Sequence, residues 1–286
     1  MSRDALLTVL RVGPGASLQD RGRPGHMHLG VPPGGPWDLD NFAATLAAAG
    51  GPDDAALLEL PLHGAAFAVH TAVTVALNGT RLRLAAGNRW TVPAAPWAVQ
   101  YVAVSGGFEA PVVLGGRGLL PVAGLGGALG RFLRPGDTLY ARDPAAARAL
   151  PPDATAPRPA GPPPPVTEVA VLPVADEASP AAWEALRAGM FTVASLLDRT
   201  GTRLVGAALP VEARAGVRAS MPVVRGAVQV TTDGGAIVLG PDHPTTGGYP
   251  LVAVLTRAGQ RAFARLRPGH ALRFVSATAD AARPGG

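Results

Sequence analysis

The chain has 286 residues, with 48% apolar against 16% charged and a formal net charge of +5. That length can bury a sizeable core and predicts two domains, and the composition fits a globular protein. All 25 residues counted as Lys+Arg are arginine and there is no cysteine. A Schiff-base lysine, a phosphate-loop lysine, a biotin-bearing lysine, disulfides, thiolate catalysis and cysteine-ligated zinc are therefore all excluded within this sequence. The positive charge is spread without a basic run, so no nucleic-acid partner is expected.

The N-terminal MSRDALLTVLRVGPG combines a short apolar run with an immediate turn and no small-residue cleavage pattern, and reads as a first strand rather than a signal peptide. No apolar stretch reaches the length of a membrane span, so a cytoplasmic protein without a membrane partner is expected. Up to residue 150, apolar runs alternate with turn signals and predict strands over 6–12, 66–77, 97–104, 111–114 and 137–140. One helix is predicted over about 38–49, capped by Asp38 or Asp40, filled with alanines and ended by Gly50 and Gly51 in the left-handed conformation. Residues 151–165, PPDATAPRPAGPPPP, lack the backbone N–H at most positions and favour extended geometry, which predicts a linker between domains at 1–150 and 166–286.

After the linker a strand is predicted over 168–172, then a helix that starts at a Ser179 cap with Pro180 in its first turn and stops at Gly189. Strands follow over 192–196, 223–230, 236–239, 250–255 and 271–275. Both parts share punctuation in the same order. Asp20-Arg21-Gly22-Arg23 is echoed by Asp198-Arg199-Thr200-Gly201-Thr202-Arg203, Val112-Val113-Leu114-Gly115 by Ile237-Val238-Leu239-Gly240, and Leu133-Arg134-Pro135-Gly136 by Leu266-Arg267-Pro268-Gly269. Two related β modules explain the echo; chance recurrence of abundant residues explains it too. Many short strands without long open edges favour closed or partly closed barrels.

Asp20, Arg23 and Asp38 place two carboxylates around a guanidinium, which suits a planar amide or carboxylate substrate and equally suits an internal brace of a glycine- and proline-rich loop. Arg117 and Arg131 sit among glycines, where backbone can approach a ligand closely. Asp198, Arg199 and Arg203 form a second charged cluster, with Gly201 in a turn. The stretch DHPTTGGYP, 242–250, lies between strands and is longer than a plain hairpin needs. Its Thr245 and Thr246 hydroxyls and the N–H groups of Gly247 and Gly248 can donate to a carbonyl or a developing oxyanion, Asp242 can hold or accept a proton, and Tyr249 completes the catalytic candidates. His26 and His28 would share one side of a strand, but no third ligand accompanies them and no metal is expected. No Gly-x-Ser-x-Gly elbow occurs, which argues against a serine hydrolase.

Five stretches follow in order between residues 18 and 255, "LQDRGRPGHMHLGVPPGGPWD" from 18, "YVAVSGGFEAPVVLGGR" from 101, "GGALGRFLRPGDTL" from 126, "LLDRTGTRL" from 196 and "GAVQVTTDGGAIVLGPDHPTTGGYPLVAVL" from 226. Together they resemble the C-subunit family of bacterial 5-oxoprolinase, also called allophanate hydrolase subunit 2 or the biotin-dependent carboxyltransferase family. The resemblance implies a mainly β fold of two cyclophilin-like β-barrel subdomains with a few short helices. It implies work with the A and B subunits of 5-oxoprolinase in the ATP-dependent opening of 5-oxo-L-proline to L-glutamate, ATP being used by the assembled complex and no cofactor bound by this chain alone. The same module serves as the carboxyltransferase region of urea amidolyase, where biotin arrives on a separate carrier, and a degenerate partner or regulatory subunit is the third alternative. Under this resemblance Asp20, Arg23, Asp38, Arg117, Asp198, Arg199, Gly247 and Gly248 are substrate-binding candidates. The family usually has Gly-Ser-Arg-Ser-Thr where this chain has Gly115-Gly116-Arg117-Gly118-Leu119, two asparagines where it has Leu46 and Gly51, and Ser-Gly-Ala-Met-Asp where it has Gly34-Gly35-Pro36-Trp37-Asp38.

Overall fold

The computed structural model describes residues 5–151, 161–174, 179–195, 198–210 and 220–277. Alternating burial along short strands organises the chain into two units, one formed by Met1–Gly25 with Pro33–Gly161 and the other by His26–Pro32 with Pro162–Gly286. Of the expected linker, 152–160 lie outside the described residues, as does Leu196 at the end of the strand expected over 192–196.

The first unit contains β1 (Ala5–Arg11), β2 (Ser17–Gln19), α1 (Leu39–Ala49), β3 (Leu57–Pro61), β4 (Ala65–Val69), β5 (Val73–Leu77), β6 (Thr80–Leu84), β7 (Arg89–Val92), β8 (Val99–Val104), β9 (Thr138–Tyr140) and α2 (Pro144–Ala149). Its strands make one sheet in the order β7-β4-β1-β9 and another in the order β2-β3-β8-β5-β6. Leu7, Phe67 and Val69 from the first and Leu58, Val75 and Val102 from the second meet in one core. Strand β8 is buried at every position because its second face is covered by α1, where Phe42 meets Tyr101 edge-on with ring centroids 5.5 Å apart. Helix α1 begins as its sequence indicates: the Asp38 carboxylate accepts from the N–H groups of Asp40 and Asn41, and Gly50 at φ 60° ends the helix.

The apolar run 66–77 is broken into β4 and β5. The turn that follows β5 is made by Asn78 and Gly79, both at positive φ, the two-residue turn whose twist suits an antiparallel hairpin. Residues 111–114 do not form the expected strand. Leu114 at φ 52° and Gly115 at φ 79° fold the chain straight back, so only Val113 and Gly116 pair.

The second unit contains β10 (Val166–Pro173), α3 (Pro180–Ala188), β11 (Phe191–Val193), β12 (Gly201–Gly206), β13 (Met221–Pro222), β14 (Ala227–Val230), β15 (Ala236–Leu239), β16 (Thr246–Gly247), β17 (Leu251–Leu255), α4 (Arg257–Phe263) and β18 (Ala271–Ser276). Seven of these strands close a barrel in the order β10-β17-β14-β15-β12-β11-β18, and β13 pairs separately with β16. Closure comes from the parallel pairing of the unit's first and last strands, Val169 opposite Phe274, which leaves the barrel no open edge. Val169, Val171, Leu272 and Phe274 alternate inward with the half-buried Ala170 and the exposed Arg273 between them, the period-two pattern of a half-buried strand. Ser179 occupies the cap position of α3 but makes no capping bond, and its hydroxyl is buried without a partner among the described residues.

Two of the three sequence echoes are structural. Asp20 and Asp198 each accept from the N–H two residues on, at 2.9 and 2.8 Å. Leu133 and Leu266 are both buried, and each precedes a turn, closed by Asp137 N–H to Arg134 at 3.1 Å or His270 N–H to Arg267 at 3.0 Å, that leads into the last strand of its unit. The third echo fails because 112–115 is a reversal whereas 237–240 is the end of β15.

Phe191 and Phe274 pack edge to face inside the barrel at 5.6 Å. Phe191→Ala should therefore cost about 3–5 kcal/mol through lost burial and a residual cavity, read as a lowered midpoint of chemical unfolding followed through barrel signals.

Candidate functional site

In the second unit, β15 ends at Leu239 and the chain enters 240–250 before β17. Gly240 N–H bonds the Thr200 carbonyl at 3.0 Å and Asp242 N–H bonds the Arg199 carbonyl at 2.9 Å, so the start of the loop is pinned along 198–200. The Arg199 guanidinium then grips Asp242 with two parallel bonds, Nε to Oδ2 at 2.7 Å and Nη2 to Oδ1 at 2.9 Å, with both side chains buried. A bidentate buried pair of this kind fixes the loop root. Its two carboxylate oxygens face the guanidinium. Asp198 stays exposed and holds its own turn.

Beyond the root the loop opens. The Thr245 carbonyl accepts from Val223 N–H at 3.1 Å, and Thr246–Gly247 pair with Met221–Pro222. Thr246, Gly248 and Tyr249 are exposed, Thr245 and Gly247 partly so, and a Cβ on Gly248 would meet nothing within 4 Å. Under Gly247 lies Gln229 of β14, almost fully buried, with its amide nitrogen unpartnered among the described residues. Nothing in the sequence marks Gln229, because it looks like one polar position in an apolar strand.

His243 stands out in the sequence only as a member of the motif. It is buried at the loop root, its Nδ1 lies 2.7 Å from the Pro244 carbonyl, and burial, reinforced by the charge of Arg225, lowers its pKa. A neutral imidazole that donates from Nδ1 and keeps Nε2 as an acceptor satisfies that contact.

The first unit carries its own group. Asp20 is buried and its two oxygens accept three backbone N–H bonds, from Gly22 at 2.9 Å, Gly118 at 3.0 Å and Arg117. Arg23, 1% exposed, directs its guanidinium at the carbonyls of Val113 and Gly118. These contacts stitch 20–23 to 113–118. The Arg117 side chain reaches the Ala110 carbonyl at 2.7 Å and Asp54 at 3.1 Å, and Arg142 joins the same Asp54 oxygen at 2.7 Å. The hydrogen bond from Arg142, aided by Arg117, holds the Asp54 carboxyl below the usual carboxylate range. Arg131 is paired bidentately with Asp137 at 2.8 Å.

Asp38 joins a buried network that the sequence does not disclose. Tyr101 donates to Glu59 at 2.6 Å, Glu59 also accepts from Trp37 N–H at 2.9 Å, and the tyrosine oxygen accepts from Asp38 N–H at 3.1 Å. Burial first, then the charge of Glu59, pushes the Tyr101 phenol well above its ordinary range, so it remains a donor. The strand expected to set His26 and His28 on one side does not form: Met27–Leu29 is a 3-10 turn, closed by Leu29 N–H to His26 and Gly30 N–H to Met27 at 2.9 Å. Among the described residues no three or more of His, Cys, Asp and Glu gather as metal ligands, and no helix is long and apolar enough to cross a membrane.

The family model of the carboxyltransferase domain, subdomains A and B, matches residues 29–276. The chain belongs to that family. It is 28% identical to the C subunit of the 5-oxoprolinase of Escherichia coli, over 97% of this chain and 93% of that protein. It is 26% identical to a urea amidolyase of Lachancea kluyveri over 94% of this chain, and spans only 17% of that protein's length. The crystal structure of the K. lactis urea amidolyase superposes with a TM-score of 0.85 at 24% identity, over 97% of this chain and 19% of that one. That likeness establishes the shared, mainly β fold.

Two outcomes follow from this geometry. Asp242→Ala leaves the buried Arg199 guanidinium without its carboxylate and should cost about 3–5 kcal/mol. The double change Arg199→Met with Asp242→Leu should recover a large part of that loss in urea unfolding. For His243, the folded pKa lies below its ordinary value of about 6.5, so below that value the unfolded chain binds more protons. Its contribution is complete above about pH 6.5 and is lost as pH falls through the folded pKa. His243→Asn should flatten the decline of Tm between pH 7 and 5, a decline shared with His270, whose pKa is also lowered by burial.

Proposed function

We propose that this chain is the C-type subunit of an ATP-dependent 5-oxoprolinase, acting with the A and B subunits on 5-oxo-L-proline to give L-glutamate. The observation that carries this reading is the match to the C subunit of a 5-oxoprolinase along nearly the full length of both proteins. Cleavage adds the elements of water across the lactam C–N bond, and negative charge develops on the former carbonyl oxygen. The exposed segment 245–249 supplies uncharged donors for that oxygen, the Thr245 and Thr246 hydroxyls, the Gly248 N–H and the Tyr249 phenol, whereas the expected Gly247 N–H is taken up by its pairing with Met221. Asp242 and Arg199 are positioning residues for this segment in the proposal, and ATP chemistry belongs to a companion chain because this one has no lysine.

The alternative of a carboxyltransferase that moves a carboxyl group from carrier-borne biotin to a urea-like acceptor draws on the 26% identity to urea amidolyase. The two are separated by assaying the purified chain with the A and B subunits of 5-oxoprolinase, and separately with a biotin carboxylase and its carrier. ATP-dependent glutamate release should appear only in the first mixture and be absent from the chain alone. Thr246→Val and Tyr249→Phe, both at exposed positions, should each lower kcat/KM by roughly 10²-fold, the loss typical of one oxyanion donor. Unchanged lactam cleavage after joint replacement of Asp242, Thr245 and Tyr249 would remove this segment from the reaction.

A further inference from the structure

The first unit contains a cavity of about 320 Å³ that none of the candidate catalytic or substrate-binding residues lines. Its walls come from the β5–β6 hairpin, from Gln100 of β8 and from 93–97, which connects β7 to β8. Leu82, Pro93 and Trp97 make it largely apolar, while Asn78, Thr80 and Gln100 supply its polar atoms. This volume lies at the lower end of the range of small-molecule sites.

Two features define what fits. The first is charge. None of the lining residues is ionisable, and although β6 carries Arg81 and Arg83, they alternate with Thr80 and Leu82 and point to the other face. Arg81 reaches the Ala48 carbonyl at 2.6 Å and the Pro151 carbonyl at 3.2 Å, and Arg83 reaches Thr74 at 3.4 Å. The second is hydrogen-bonding capacity. Asn78 Nδ2 donates to Gln100 Oε1 at 3.1 Å, Gln100 Nε2 donates to the Pro93 carbonyl at 2.7 Å, and Asn78 Oδ1 accepts from Asn41 Nδ2 at 3.1 Å and Tyr101 N–H at 3.0 Å. A carboxamide nitrogen has two hydrogens and its oxygen two lone pairs. The pair therefore keeps one N–H on each nitrogen and one acceptor site on Gln100, held rigidly by the positive-φ turn at Asn78. Uncharged donors and an acceptor against an apolar wall match the donor and acceptor of an amide.

We propose that this cavity binds a small, neutral, amide-bearing molecule, its C=O and N–H meeting the Asn78–Gln100 carboxamides and its apolar body covering Leu82, Pro93 and Trp97. The site is independent of the activity proposed for 245–249.

The test is a titration of the full chain with 2-pyrrolidinone, a neutral lactam, followed through the side-chain amide NMR signals of Asn78 and Gln100. Both signals should shift saturably with one dissociation constant on the order of millimolar, as expected of so small a ligand. 5-Oxoproline, anionic at neutral pH, should bind this cavity at least tenfold more weakly. Ala94→Phe, on the exposed rim, should weaken 2-pyrrolidinone at least tenfold without changing Tm, and Pro96→Phe on the same rim serves if the first variant is unstable. No saturable shift, equal affinity for the two lactams, unchanged binding in the rim variants, or shifts confined to 242–250 would each overturn the assignment. A response of 245–249 to 5-oxoproline in the assembled complex, with no cavity response to 2-pyrrolidinone, would sink this site and leave the proposed activity standing.

Discussion

A carboxylate taken out of water is tolerated only when its lone pairs are answered, and each unit of this protein anchors glycine-rich loops around one such group. In the first unit Asp20 gathers N–H groups from Gly22 and from Arg117 and Gly118, nearly a hundred positions later in sequence. In the second, Asp242 takes the whole fork of Arg199. Glycine- and proline-rich chain has little intrinsic preference for one shape. The buried charge supplies the preference, since leaving any of these partners would strand an ion in a low-dielectric interior. Loops so anchored can be held open at their tips, as 246–249 is, without collapsing onto the barrel.

The same arrangement decides which chemistry remains for a ligand. The arginines that look like anion receptors in the sequence turn their guanidinium hydrogens inward: Arg23 to two carbonyls, Arg117 to a carbonyl and to Asp54, Arg131 to Asp137, Arg199 to Asp242. What faces outward along 245–249 is uncharged, namely hydroxyls, a phenol and glycine backbone. Uncharged donors suit a carbonyl whose charge grows only during reaction, because they stabilise the developing oxyanion more than the neutral ground state.

Local signals are legible in the sequence and distant pairings are not. The Asp38 cap, the Gly50 stop and the alternation in β10 and β18 depend on neighbours within a few residues, and the sequence displays them directly. The Asp–x–N–H turn and the Leu-Arg-Pro-Gly turn recur because each is a self-contained hydrogen-bonded device. The reversal at Leu114 is hidden because an apolar residue there reads as strand until its positive φ is known. Glu59, Tyr101 and Gln229 carry no signal, since a polar residue in a strand looks exposed until the helix or loop that covers it is placed. The open surface of 245–249 follows from loop length and hydroxyl content, whereas its support, the Arg199–Asp242 pair, joins residues whose separation in sequence conceals their contact.

Glycines flank Arg117 at positions where the resembling family usually carries serines. A Cβ at Gly116 would lie 2.9 Å from the Gly22 carbonyl oxygen, and one at Gly118 would lie 2.8 Å from Gln19 Oε1 and 2.9 Å from Asp20 Oδ1. Both approaches are closer than real Cβ contacts, and the atoms met are backbone or buried side-chain oxygens that have little room to yield. The loop thus lies against 19–22 with no room for a side chain at 116 or 118, and at that approach the N–H groups of Arg117 and Gly118 bond the Asp20 carboxylate.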